Sequence, residues 1–168
     1  DFGLVEQIGT AREYRLGPAV LRLSALREAQ VPTREAAMPV LQALAQKTGE
    51  TAHLSLLMGS ELHTLGFAYS TGHMTRVTME DAEVLPFHAT SSGLVVLAFQ
   101  PEAFRETVLA QPIPRLTGRT ETAPQALRAR LAEVRGQGFA ESRGAFQAEV
   151  HSIAVPLFDA LGRCTGAV

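Results

Sequence analysis

Six consecutive residues, His88-Ala89-Thr90-Ser91-Ser92-Gly93, gather an imidazole, three hydroxyls and a glycine into one short stretch. An unbroken apolar run, Leu94 to Phe99, follows them. That run predicts a buried helix from about Ser92 to Phe99, with the polar residues at its N-terminal approach. A helix start presents unpaired backbone N–H groups and the positive end of the helix dipole. Small side chains let a ligand come close to that backbone. Thr90, Ser91, Ser92 and Gly93 are therefore suited to hold a carboxylate or a phosphate. A plain Ser/Thr cap on a buried helix accounts for the same residues, and spacing alone favours that simpler reading.

Other chemistries find less support. Ser91 and Ser92 near His88 invite a hydrolase, but Thr90-Ser91-Ser92-Gly93 lacks the first glycine of Gly-x-Ser-x-Gly, and no Asp stands in an orienting role. His53, His63 and His73 are spaced ten apart, which is not a ligand spacing, and the chain has no His-x-x-x-His or Cys-x-x-Cys pair. The histidines read as solvated or hydrogen-bonded, with no metal and no cofactor. Cys164 is a lone thiol with no basic helix start beside it, so a nucleophilic role is not expected. Arg128 and Arg130 read as the solvated face of a helix.

The bulk properties set the frame. The 168 residues suffice for one domain with a real core, and 46% apolar against 19% charged residues excludes a disordered chain. A net charge of −2 excludes a chain that binds nucleic acid by overall charge. No apolar run is long enough to cross a membrane, and one cysteine forms no internal disulfide framework, so a cytoplasmic setting is expected. The chain opens on Asp1-Phe2-Gly3 without an initiator Met and stops inside a strand, Cys164 to Val168, so it reads as a piece of a longer protein.

Several elements must position the polar stretch. Short extended runs at 3–7 and 12–16 predict a hairpin, and Gly17-Pro18 opens a helix carrying Val20, Leu21, Leu23, Ala25 and Leu26. A second helix is predicted over 32–47, capped by Thr33 and ended by Gly49. Strands are expected at 52–58 and 62–69 around Gly59-Ser60, and again at 74–79. After the buried helix come helices over 101–110 and from Thr122-Ala123-Pro124-Gln125, a capping-box pattern, to about Gly138. Strands at 139–141, 150–158 and 164–168 close the chain. With no βαβ rhythm, the order predicts an α+β fold with an antiparallel sheet and helices packed on it.

The segments YRLGPAVLRLS (14–24), PVLQALAQKTGETAHLSLL (39–57), LPFHATSSGLVVLAF (85–99), TETAPQALRARLAEVRGQGFA (120–140) and VHSIAVPLFDALGRCTGAV (150–168) carry a resemblance. Their order and spacing resemble bacterial regulators of the isocitrate lyase regulator (IclR) family over nearly the whole chain. The resemblance implies a GAF-like antiparallel sheet flanked by helices, preceded by a wing hairpin and a linker helix. Residues 1–17 would be the wing of a winged helix-turn-helix, 18–30 the linker helix, and 31–168 the effector-binding domain. It also implies a pocket for a small organic acid. Ser91 and Ser92 would offer backbone N–H groups, Met74, Val77 and Leu85 would line the pocket, Val150 and Ser152 would lie across from them, and Ser142 would be a further effector-site residue. Ser142 stands where the family often has an acid, Leu94 where Lys is frequent, and Glu149 where Gly is frequent. Glu149 is expected to crowd the loop or bring negative charge near the pocket.

The resemblance thus implies a ligand-responsive, DNA-binding regulator that is not an enzyme. Operator DNA would be read by helices preceding this chain, with Arg12 and Arg15 contacting the phosphate backbone. The assembly would be a homodimer or homotetramer, with no membrane partner. Two alternatives stand beside it: a GAF-like sensor module of another signalling protein, and a small hydrolase using Ser91 or Ser92.

Overall fold

The computed structural model describes residues 2–9, 13–30, 33–70 and 82–168, with backbone alone at 27–30. The expected strand at 74–79 lies outside the described residues. The chain separates into two compact units, 1–39 and 40–168.

In the first unit, β1 (Val5–Ile8) and β2 (Glu13–Leu16) pair antiparallel, with Glu6 opposite Arg15. Helix α1 (Pro18–Gln30) follows directly. Proline at its first position needs no N–H partner there. Between hairpin and helix sits Gly17, whose N–H donates to the Leu4 carbonyl at 2.9 Å. A Cβ at Gly17 would stand 2.2 Å from the Gly3 carbonyl oxygen, so only glycine permits this approach. The Ala19 N–H also donates to Gly3, at 3.1 Å. On α1 the side chains of Leu21, Leu23 and Leu26 are exposed.

Helix α2 (Thr33–Thr48) carries the division between the units at Pro39, which has no N–H for the Glu35 carbonyl. Thr33 is its first helical residue rather than the cap expected from the sequence. Gly49, at φ 78°, ends the helix by donating to the Ala45 carbonyl.

The second unit is an antiparallel sheet with helices on it. Strands β3 (Ala52–Met58) and β4 (Glu61–Ala68) form the hairpin around Gly59-Ser60. They are joined by β5 (Val84–Leu85), β8 (Pro156–Phe158) and β9 (Cys164–Ala167) in the order β5-β4-β3-β9-β8, every pair antiparallel. A separate ribbon pairs β6 (Ala140–Arg143) with β7 (His151–Ala154).

Helix α3 (Ser91–Phe99) is the centre of this unit, and every residue from Ser91 to Ala98 is buried. A helix apolar all round must be covered on all sides, and α3 packs against α5 (Pro124–Gln137), β6, β7, β8 and β9. Its buried carbonyls need partners. Gln100 supplies two: its side-chain amide reaches the Val96 carbonyl, and its N–H the Leu97 carbonyl. Arg135 donates to the Ala98 carbonyl at 2.9 Å. Pro101 then caps α4 (Glu102–Leu109).

One local expectation is corrected. Thr122 does not cap α5: the cap position is Ala123, without a side-chain hydrogen bond. Glu121 takes that part instead, its carboxylate accepting the N–H groups of Thr122 and Ala123 at 2.8 Å each. Pro124 at the first helical position has no N–H that needs a partner there.

Candidate functional site

At the start of α3, Thr90 is extended (φ −106°, ψ 150°) and its hydroxyl accepts the Gly93 N–H at 2.9 Å. The Leu94 N–H goes to the Thr90 carbonyl. The N–H groups of Ser91 and Ser92 are left without a partner among the described residues. The simple cap is therefore present, and it leaves two donors open: the Thr90 hydroxyl satisfies the Gly93 N–H alone. Gly93 does a different job from the one its size suggested. A Cβ there would sit 2.5 Å from both the Phe87 Cα and the Pro86 carbonyl oxygen, so the glycine lets the helix press on the preceding turn.

Ser91 and Ser92 open onto a partly enclosed cavity. Its walls combine apolar Leu85, Ala89, Phe146 and Val150 with the hydroxyls of Ser91, Ser92, Ser142 and Ser152. The structure thus brings Leu85, Ser91, Ser92, Ser142, Val150 and Ser152 to one place, while Met74 and Val77 lie outside the described residues. The Ser91 hydroxyl donates to Ser152 Oγ at 2.8 Å, tying α3 to β7. Ser142 donates to the Ala89 carbonyl at 2.7 Å, which fixes β6 to the turn before α3. Glu149 is exposed and does not line the cavity, and Leu94 is buried in the core.

Sequence reading missed His53. It lies on β3 with its Nε2 3.1 Å from Ser92 Oγ, and it lines the cavity. Burial pushes its imidazole below the ordinary histidine value, so it is neutral at pH 7. The signal was the period of two that puts His53 on the same side as Thr51, the residue just before β3, since both line the cavity. Phe146, Gln147 and His151 also line it and were not anticipated.

A neutral imidazole beside a serine at a helix start is two parts of a hydrolytic site. The remaining parts do not assemble: no carboxylate meets His53 Nδ1 among the described residues, and the Gly93 N–H is already held by Thr90. Among those residues no cluster of His, Cys, Asp and Glu could hold a metal. Cys164 is buried and its thiol is pushed up by that burial. Arg15 donates to the Glu6 carboxylate across the hairpin, and Arg12 lies outside the described residues. Arg128 pairs with Glu106 through two bonds, and Arg130 with Glu133.

The geometry defines a GAF-like α+β domain with a serine-lined cavity at the N-terminus of a buried helix. The chain belongs to the IclR family: residues 25–168 match the family model described as bacterial transcriptional regulator IclR C-terminal. The HTH-type transcriptional regulator TtgV of Pseudomonas putida is 34% identical over 137 residues, covering 82% of this chain and 51% of TtgV. The chain thus spans about half the length of that relative. A crystal structure assigned as an IclR transcriptional regulator from a Silicibacter species superposes with a TM-score of 0.90 at 55% identity, covering 98% of this chain and 65% of that one. An IclR homolog from Microbacterium hydrocarbonoxydans, complexed with 4-hydroxybenzoate, gives 0.79 at 31% identity, covering 98% and 68%.

Proposed function

We propose that this chain is the effector-sensing part of a DNA-binding transcriptional regulator, and that its effector is a small organic acid held at the start of α3. The observation that carries the reading is the pair of unpartnered N–H groups, Ser91 and Ser92, opening onto a cavity rimmed by serine hydroxyls. The 4-hydroxybenzoate bound by the Microbacterium relative supports the ligand class. Hairpin β1-β2 would be the wing and α1 the linker, with the DNA-reading helices supplied by another segment. Arg15 and Arg12 would touch phosphates, Arg15 only when released from Glu6. Effector binding would shift the population of subunit arrangements in a cytoplasmic homodimer or homotetramer, without turnover. Calorimetry with aliphatic and aromatic acids tests the site. The reading fails if only cations or neutral lipids bind, and hydrolysis of generic esters by the chain would count against a purely sensing role.

A further inference from the structure

The charge inventory of the cavity raises a question that the N–H pair does not answer. Among the described lining residues there is no Lys and no Arg; the titratable ones are His53, Glu83 and His151. A helix start supplies roughly half a positive charge. A carboxylate stripped of water by apolar walls needs more compensation than that. His151 Nε2 stands 3.8 Å from the Glu141 carboxylate, a partner on the β6-β7 ribbon rather than at the helix start. His53 is different. It reaches the N-terminus of α3 itself through Ser92, and among the described residues no carboxylate hydrogen-bonds it.

We propose that His53 is the effector's charge partner, taking a proton from solvent as an acid enters and reading the carboxylate through Ser92. The inference rests on the organic-acid reading above. Neutral His53 can accept from the Ser92 hydroxyl, which keeps that O–H turned away from the cavity. In the imidazolium, Nε2–H must donate to Ser92 Oγ, and the Ser92 O–H is freed to donate to a carboxylate held by the N–H groups of Ser91 and Ser92. Proton and anion then enter together, and the cavity discriminates against neutral isosteres because they bring no charge to favour protonating the imidazole, so the Ser92 O–H stays turned toward His53.

The test is calorimetry of the 168-residue chain with benzoate, 4-hydroxybenzoate, succinate and lactate, in buffers of differing ionisation enthalpy, from about pH 8 down to about pH 6 (roughly the histidine range). The expected result is net proton uptake approaching about one per bound acid, with affinity rising by up to about tenfold for each pH unit lowered. His53→Gln, which keeps a side-chain donor near Ser92, should bind with no uptake and a flat pH profile. Ser92→Ala should bind more weakly while keeping the uptake, so the inference does not depend on one variant folding. Binding without uptake overturns the proposal, and so does uptake that survives in His53→Gln, which would assign the proton to His151, Glu83 or the acid. If none of the four acids binds at any pH, the organic-acid reading itself fails and this inference with it.

Discussion

The sharpest test of the helix-start site is the replacement Ser91→Pro read against Ser91→Ala. Ser91 is the first residue of α3, where proline is best tolerated, and Thr90 before it is already extended at φ −106°, ψ 150°, as a residue preceding proline should be. Both variants lose the hydroxyl that donates to Ser152 at 2.8 Å, a loss of about 0.5–1.5 kcal/mol in stability. Only the proline also removes the backbone donor. A hydrogen bond to a charged acceptor contributes about 1.5–3 kcal/mol. The proline variant should therefore bind an organic acid roughly 10- to 150-fold more weakly than the alanine variant. Ser92→Pro would confound the measurement, because Ser91 before it is helical and Ser92 Oγ meets His53. Calorimetry gives the affinities, and thermal melts check that the two variants are equally folded. Equal melts with affinities within about twofold would refute the claim that the Ser91 N–H meets the ligand.

Four further outcomes are expected. Gly93→Ala forces a methyl against the Phe87 Cα and the Pro86 carbonyl, backbone atoms that cannot step aside, and should cost at least the upper part of the usual overpacking range of about 1–3 kcal/mol; thermal unfolding measures it. Gly17→Ala should expose the 2–16 hairpin to limited proteolysis while the melting of residues 40–168 stays unchanged. Leu21→Glu combined with Leu23→Glu, at exposed positions of α1, should lower the mass seen by light scattering if α1 is a self-contact, whereas a wild type already monomeric at tens of micromolar (roughly an ordinary working range) removes that reading. Finally, the folded-state value of His53 is depressed, so the unfolded chain holds more protons once the pH falls below the ordinary value of 6.5. Its contribution to stability is complete above that pH and is lost as the pH falls through the depressed value; His53→Gln should flatten this part of a denaturation-against-pH profile.

Much of the fold could be read because its signals are local. Gly59-Ser60 between two alternating runs predicts the β3-β4 hairpin, and the Leu94–Phe99 run predicts a helix buried on every side. Thr122 failed as a cap because the pattern records residue types, and not that the helix starts one residue later, with Ala123 at the cap and Glu121 reaching forward to the N–H groups of Thr122 and Ala123. The site divides in the same way. Ser91 and Ser92 announce themselves beside a helix start. His53 lies 39 residues from Ser92 and meets it only in the folded tertiary structure. A lone histidine in a strand carries no local mark of that partner. Gly93 was read by its size alone, whereas its reason is the backbone of Pro86 and Phe87 pressed against it.

The glycine between β2 and α1 has a mechanical consequence. Most hairpins and helices joined in sequence are linked by a few residues that absorb torsion, so one can turn while the other stays. Here the two N–H bonds to Leu4 and Gly3, and a contact too close for any Cβ, weld strand and helix at the junction. A turn of α1 against β1-β2 at this junction would have to break those two bonds.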